Sequence, residues 1–182
     1  LDWSFDHNHI KQVRGASLLE VFNGHPCSNN DGAPGKFSYE EIWDGVLSAG
    51  RPIFGVATDD SHEYKDFHLM ASNPGRGWVV VHAEELVSEA IVEGLASGNF
   101  YASTGVELTD LKSSSQLVSL RIEQQSTFIY TTKFIGRDAK TYAETTGLEA
   151  SYEPIGSEGY IRAVVKSSSG SKAWTQPVFL PG

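Results

Sequence analysis

One cysteine, Cys27, one methionine and no apolar stretch of membrane-spanning length: these are what the 182-residue chain is short of. A single thiol excludes an internal disulfide, so burial and hydrogen bonding must hold the fold, and it says little about compartment. Without a continuous apolar run of bilayer length the chain reads as soluble, with no membrane partner. Basic residues are scarce, 14 Lys and Arg against 23 Asp and Glu, for a net charge of −9. Sparse, unclustered positive charge argues against nucleic acid and anionic lipid as partners. The opening residues lack the basic start and apolar stretch of a secretory signal. Because Leu1 is not Met, they read as the start of a processed or partial chain.

What is present is unevenly spread. Residues 1–105 carry 6 Lys and Arg and 15 Asp and Glu, whereas residues 106–182 carry 8 of each. All six histidines lie in the first part. An acidic, histidine-rich segment suits metal binding, although acidic surfaces also serve solubility alone.

The two parts differ in pattern. Residues 17–22 read as a strand, and a Gly- and Asn-rich loop follows. Ser38-Tyr39-Glu40-Glu41 has capping-box spacing, so a helix is expected there, with Ile42, Val46 and Leu47 on one face and Gly50 as its stop. The run 53–57 reads as a buried strand, 78–81 as a third, and 88–97 as a helix ended by Gly98. Strand, helix, strand, strand, helix is α/β grammar, with too few strands to close a barrel and one sheet edge open. Beyond residue 105, alternation over 117–123 and 160–166, Thr-, Phe- and Ile-rich residues 127–135 and a turn at 167–171 predict an antiparallel β-sandwich. The expected organisation is an α/β domain over 1–105 and a small β-sandwich domain over 106–182.

Thr58-Asp59-Asp60-Ser61-His62 stands at the C-terminal end of the second strand, where parallel α/β folds carry their chemistry. Carboxylate oxygen and neutral imidazole nitrogen are both ligands for zinc, manganese or iron, so Asp60 and His62 are candidate metal ligands. Asp and Ser also cap helices and make turns, the plainer reading of the same residues. Glu20 is a carboxylate in an apolar strand, and Asn23, Gly24 and His25 end that strand. Arg76, between two glycines, is a candidate phosphate contact, because guanidinium binds phosphate in bidentate fashion. Asn-Gly is equally an ordinary turn, and a glycine-flanked arginine is equally a solvated loop residue. His7-Asn8-His9 reads as a surface loop or helix start. Trp43, Trp78 and Trp174 read as core.

Four blocks in order resemble the C-terminal half of a PHP domain, of the polymerase and histidinol phosphatase superfamily. They are Leu19-Glu20-Val21-Phe22-Asn23-Gly24-His25-Pro26, Gly55-Val56-Ala57-Thr58-Asp59-Asp60-Ser61-His62, Asn73-Pro74-Gly75-Arg76-Gly77-Trp78-Val79-Val80-Val81 and Gly98-Asn99-Phe100-Tyr101-Ala102-Ser103-Thr104-Gly105. The resemblance implies a partial, distorted β/α barrel with several divalent metal ions, zinc, manganese or iron. It also implies hydrolysis of a small phosphorylated substrate by metal-activated water. It places Asp60 and His62 on the metal, with Asp59 orienting a ligand; the strand positions of Glu20, Asn23 and His25 make them candidates to support the site from behind. The family's earlier histidine motifs and bridging Glu have no counterpart here, and His7-Asn8-His9 lies in the wrong place to be one. The expectation is therefore part of a phosphoesterase, inactive alone and without its full complement of metal. The missing half, or a second copy of the chain, would cover the open sheet edge. The alternative is a non-catalytic module whose β-domain contacts carbohydrate or protein.

Overall fold

Short runs of Val, Ile, Phe, Tyr and Thr between turn residues make this chain predominantly strand, 36% against 15% helix. A computed structural model describes residues 4–181. In chain order the elements are α1 (His7–Ile10), β1 (Leu18–Asn23), α2 (Tyr39–Ser48), β2 (Phe54–Thr58), β3 (Trp78–Val81), α3 (Ser88–Ser97), β4 (Phe100–Ser103), β5 (Leu108–Ser113), β6 (Val118–Ile122), β7 (Tyr130–Gly136), β8 (Lys140–Thr146), β9 (Glu149–Tyr152), β10 (Tyr160–Ser167), β11 (Lys172–Thr175) and β12 (Val178–Phe179). Among the described residues no helix is long and apolar enough to cross a membrane.

The expected partial β/α barrel does not form. Three sheets and three helices build a β-sandwich-like molecule, and β1 with β2 is the one parallel pair among the described strands. The largest sheet runs β3-β4-β11-β10-β7-β8, every pairing antiparallel. The reason lies in β4, whose four residues are all buried. It hydrogen-bonds β3 on one side and β11 on the other, so Ala102 faces Val79 and Trp174 across adjacent ladders. The two segments divided near residue 105 thus share a sheet.

Period-two alternation along β10 sorts the core into two layers. Ile161, Ala163 and Val165 face Val118, Leu120 and Ile122 of the three-stranded sheet β5-β6-β9. Tyr160 and Val164 belong to a second cluster with Trp43, Val46, Leu47, Ile53 and Trp174. The large sheet is therefore a middle layer, with the β1–α2–β2 crossover on its other face.

Local chemistry fixes that crossover. Ser38 caps α2 by accepting from the Glu41 N–H at 3.1 Å, and the Glu41 carboxylate accepts from the Ser38 N–H at 2.7 Å. Such a cap contributes about 1 kcal/mol. Trp43 is fully buried, and its Nε1–H donates to the Ile53 carbonyl at 2.9 Å, tying the helix to the start of β2. Gly55 leaves room for the Trp43 ring, since a Cβ there would lie 2.9 Å from it. Trp78, expected in the core, stands on the outermost strand and is 38% exposed.

Helix α3 ends at Gly98 with φ +78°, where a Cβ would also strike the Phe54 ring. Gly98→Ala should destabilise the protein by at least about 1 kcal/mol, from left-handed strain alone. Chemical denaturation of the variant checks this.

Candidate functional site

Parallel pairing of β1 with β2 brings both C-terminal strand ends to one rim. A register shift between Glu20 and Phe22 marks a bulge in β1. Bulges recur beside functional sites because they re-aim side chains. The ladder continues past β1, where the Gly24 N–H donates to the Thr58 carbonyl at 2.7 Å. The rim opens into a cleft of about 430 Å³ whose lining includes Glu20, Asn23, His25, Tyr39, Asp60 and His62. Five residues singled out by sequence, separated by as many as 42 positions, thus meet in one place.

The Asn23 amide organises the carboxylates. Its Nδ2 donates to Glu20 Oε2 at 3.2 Å and to Asp60 Oδ2 at 3.3 Å. Its Oδ1 accepts from the His25 backbone N–H at 2.8 Å and from the Ser28 hydroxyl at 2.8 Å. A backbone N–H can only donate, so the amide cannot be reversed. Thr58 donates its hydroxyl to Glu20 Oε1, so both oxygens of Glu20 accept from neutral donors. Asp60, with φ +48°, turns the chain out of β2; Asp tolerates that left-handed geometry better than most residues.

The two histidines are fixed as opposite tautomers. The Cys27 backbone N–H donates to His25 Nδ1 at 3.1 Å, so the proton of a neutral His25 belongs on Nε2. His62 Nδ1 lies 3.2 Å from the Asp60 carbonyl, which can only accept, so here Nδ1 is protonated and Nε2 keeps its lone pair. The rings stack with centroids 5.4 Å apart and planes 17° from parallel. Neither Nε2 has a hydrogen-bond partner among the described residues.

Tyr39 went unnoticed in the sequence. It is the first residue of α2, and a crossover helix begins at the rim where its preceding strand ends, which is the signal that locates it. Burial first, then the negative charges of Glu20 and Asp60, push its phenol above the ordinary value, so it is a proton donor at neutral pH. Leu19, Ile42 and Phe5 give the cleft an apolar side that sequence reasoning also missed.

Asp59 and Arg76 do not line the cleft; they build the loop behind it. The Asp59 carboxylate accepts from the N–H groups of Gly75, Arg76 and Gly77 at 3.0, 2.6 and 2.8 Å. The Arg76 guanidinium donates to the carbonyls of Gly24, His68 and Leu69 at 3.2, 3.0 and 3.3 Å. Arg76 therefore braces the Gly24–His25 peptide. A Cβ on Gly24 would lie 2.7 Å from the Arg76 Cβ, which is why this position holds glycine.

Burial opposes the charge on Asp59, but the three N–H donors and the Arg76 charge outweigh it, holding the carboxyl below its ordinary 3.8. A carboxyl with a lower pKa folded than unfolded stabilises above the unfolded value and ceases to do so as pH falls through the folded one. The loop should hold at neutral pH and loosen only below about pH 3.8, seen as faster amide exchange at Gly75, Arg76 and Gly77.

His7 and His9 belong to α1 and do not line the cleft. Asp6 caps this helix, its carboxylate 2.9 Å from His9 Nδ1. A larger cleft of about 700 Å³ lies beside β3, β4 and β5, but its ionisable side chains are only His82, Tyr101 and Asp110. The smaller cleft has the denser chemistry.

No protein-family model, curated protein or solved structure matches this chain. Among the described residues no three His, Cys, Asp or Glu side chains gather closely enough to hold a metal ion. What the cleft offers a cation is Asp60, whose Oδ1 is uncommitted, and the Nε2 lone pair of His62. A ligating histidine typically donates its other ring N–H to a carbonyl or carboxylate, as His62 does to Asp60. The donor set fits two corners of a metal site, where zinc centres of the catalytic kind use three protein ligands.

Proposed function

We propose that this chain forms one wall of a metal-dependent phosphoesterase site, acting on a small phosphate ester. The observation that carries the reading is the pairing of the Asp60 carboxylate with a His62 ring whose free nitrogen is a lone pair, at the end of a parallel strand pair. The resemblance of the motif blocks to those of the PHP superfamily favours the same chemistry.

Asp60 and His62 would hold a divalent ion, zinc, manganese or iron. When bound, such an ion supplies an acidified water as nucleophile and offsets charge on the phosphoryl group. The protein's own contributions are positional. Asn23 fixes the distance between the Glu20 and Asp60 carboxylates, and the Asp60 carbonyl fixes the orientation of His62. Tyr39 keeps a proton beside those carboxylates. Leu19, Ile42 and Phe5 suit an ester with an apolar portion.

Two ligating side chains among the described residues are too few for this chemistry, so the proposal needs further ligands. A longer form of the polypeptide or a second copy would supply them. Strands β1 and β2 pair with no other strand among the described residues; the Gln176 amide covers β2 at Gly55 and the Asn30 amide covers β1 at Asn23, so further chain would have to join elsewhere along these edges.

The test compares hydrolysis of an aryl phosphate, with added manganese or zinc, by residues 1–182 and by a form extended before Leu1. Chelator-sensitive turnover in the extended form, with little in 1–182 alone, supports the proposal. A folded, metal-loaded extended form that hydrolyses neither phosphomonoesters nor phosphodiesters overturns it.

A further inference from the structure

We propose that His25 is a substrate-positioning residue whose Nε2–H donates to an oxygen of the bound phosphate group. The inference rests on the phosphoesterase reading for its ligand, but its structural basis is separate. The cleft already contains the Glu20 and Asp60 carboxylates, which repel an anion. A phosphate can enter only where a cation or a hydrogen-bond donor faces it. Several nearby donors are committed: Asn23 Nδ2 to the two carboxylates, Ser28 to Asn23, and Thr58 to Glu20, whereas the Tyr39 hydroxyl stands beside the carboxylates. Arg76, the residue whose chemistry suits phosphate best, serves three backbone carbonyls instead.

His25 differs because its tautomer is dictated by the backbone. The Cys27 N–H on Nδ1 leaves Nε2–H as the donor. The ring is stacked on His62, so the donor-bearing ring and the ring assigned to the metal lie side by side in the cleft. One ring offers a lone pair and the other a proton within the same cleft. That asymmetry suits a ligand with one oxygen toward the cation and another toward a donor, as a phosphate has. His25 is also held from behind, since its own N–H donates to Asn23 and Arg76 grips the preceding carbonyl. Its position is thus built, and a role in binding needs no movement of the backbone.

The test reads the histidine side chains of residues 1–182 directly by long-range ¹H–¹⁵N correlation at neutral pH, followed by titration with inorganic phosphate, with and without zinc. His25 should appear as the Nε2–H tautomer and His62 as the Nδ1–H tautomer, and phosphate should shift His25 Nε2–H. His25→Ala should weaken phosphate binding about tenfold, the loss of one charge-assisted hydrogen bond. His25→Gln, which keeps a donor, should recover part of it. His62 should keep its tautomer in the Gln variant. A His25 proton on Nδ1, or phosphate affinity unchanged in His25→Ala, overturns the inference. Failure of the two readings is distinguishable. Metal at Asp60 and His62 with phosphate leaving His25 unshifted removes this inference alone. A phosphate-shifted His25 in an extended form that binds no metal at those residues removes the phosphoesterase reading and keeps the anion site.

Discussion

Asp44→Ala should lower the free energy of unfolding by about 3–5 kcal/mol, the cost of leaving a buried charge without its partner. Asp44, on α2, and Arg162, on β10, are both buried, the latter completely. Arg162 Nε and one terminal nitrogen donate to the two Asp44 oxygens at 2.8 and 2.7 Å, and the Tyr160 hydroxyl donates to the same carboxylate at 2.8 Å. The guanidinium also lies over the Trp43 ring, 4.6 Å from its centroid. Burial disfavours the Arg162 charge, yet Asp44 and Glu40 more than compensate and hold it firmly protonated.

This pair joins the crossover that carries the site to the middle sheet, so its loss should loosen the rim as well as the core. Glu40 is a second, more exposed partner, 3.6 Å from Arg162 and 2.8 Å from Lys172. Glu40→Gln should therefore cost much less than Asp44→Ala. Replacing Asp44 and Arg162 together by Leu and Met should recover much of the stability, because paired hydrophobic replacements avoid the stranded charge. Urea denaturation measures all of these. An Asp44→Ala loss under about 1 kcal/mol would mean that water reaches Arg162 and the buried network is not what joins the layers.

Asp60→Ala and His62→Ala should each reduce metal-dependent turnover of the extended form by at least about a hundredfold. Removing groups that merely support a ligand already costs 10–100-fold, and removing the ligand should cost more. Both side chains are exposed at the rim, so unfolding should change by no more than about 0.5 kcal/mol for His62→Ala and about 1 kcal/mol for Asp60→Ala, whose position is left-handed. That split between activity and stability is the signature of the proposal. Asp59→Ala should behave in the opposite sense. Its three N–H partners in the 75–77 loop lose their acceptor, so local exchange rises while metal affinity changes little. Activity that survives loss of both Asp60 and His62 would remove them from the chemistry.

Local signals made the crossover and its rim legible in sequence. The Ser38–Glu41 capping box, the apolar run before Thr58 and the Gly98 stop each act over a few residues, so their pattern is written in the chain. The same holds for Glu20, Asn23, His25, Asp60 and His62, since residues that end parallel neighbours must meet. What sequence could not give was which strands pair. β4 is buried throughout and shows no alternation, and its partner β11 lies about 70 residues away. The short strand β5 and the Thr- and Lys-bearing β8 carry little apolar periodicity. The antiparallel middle sheet, and with it the failure of the barrel expectation, followed from those pairings. Arg162 was invisible for the same reason: a charge in an alternating strand reads as solvent-facing unless its partner, 118 positions earlier, is known.

The most direct measurement is residue-resolved line broadening of the chain by substoichiometric Mn²⁺. The account predicts that signals of residues 20–25 and 58–62 broaden first, with the His62 ring most affected, and that Asp60→Ala abolishes the effect. Broadening centred on His7 and His9, or on the acidic residues of α3, with the Asp60–His62 rim untouched, would contradict it.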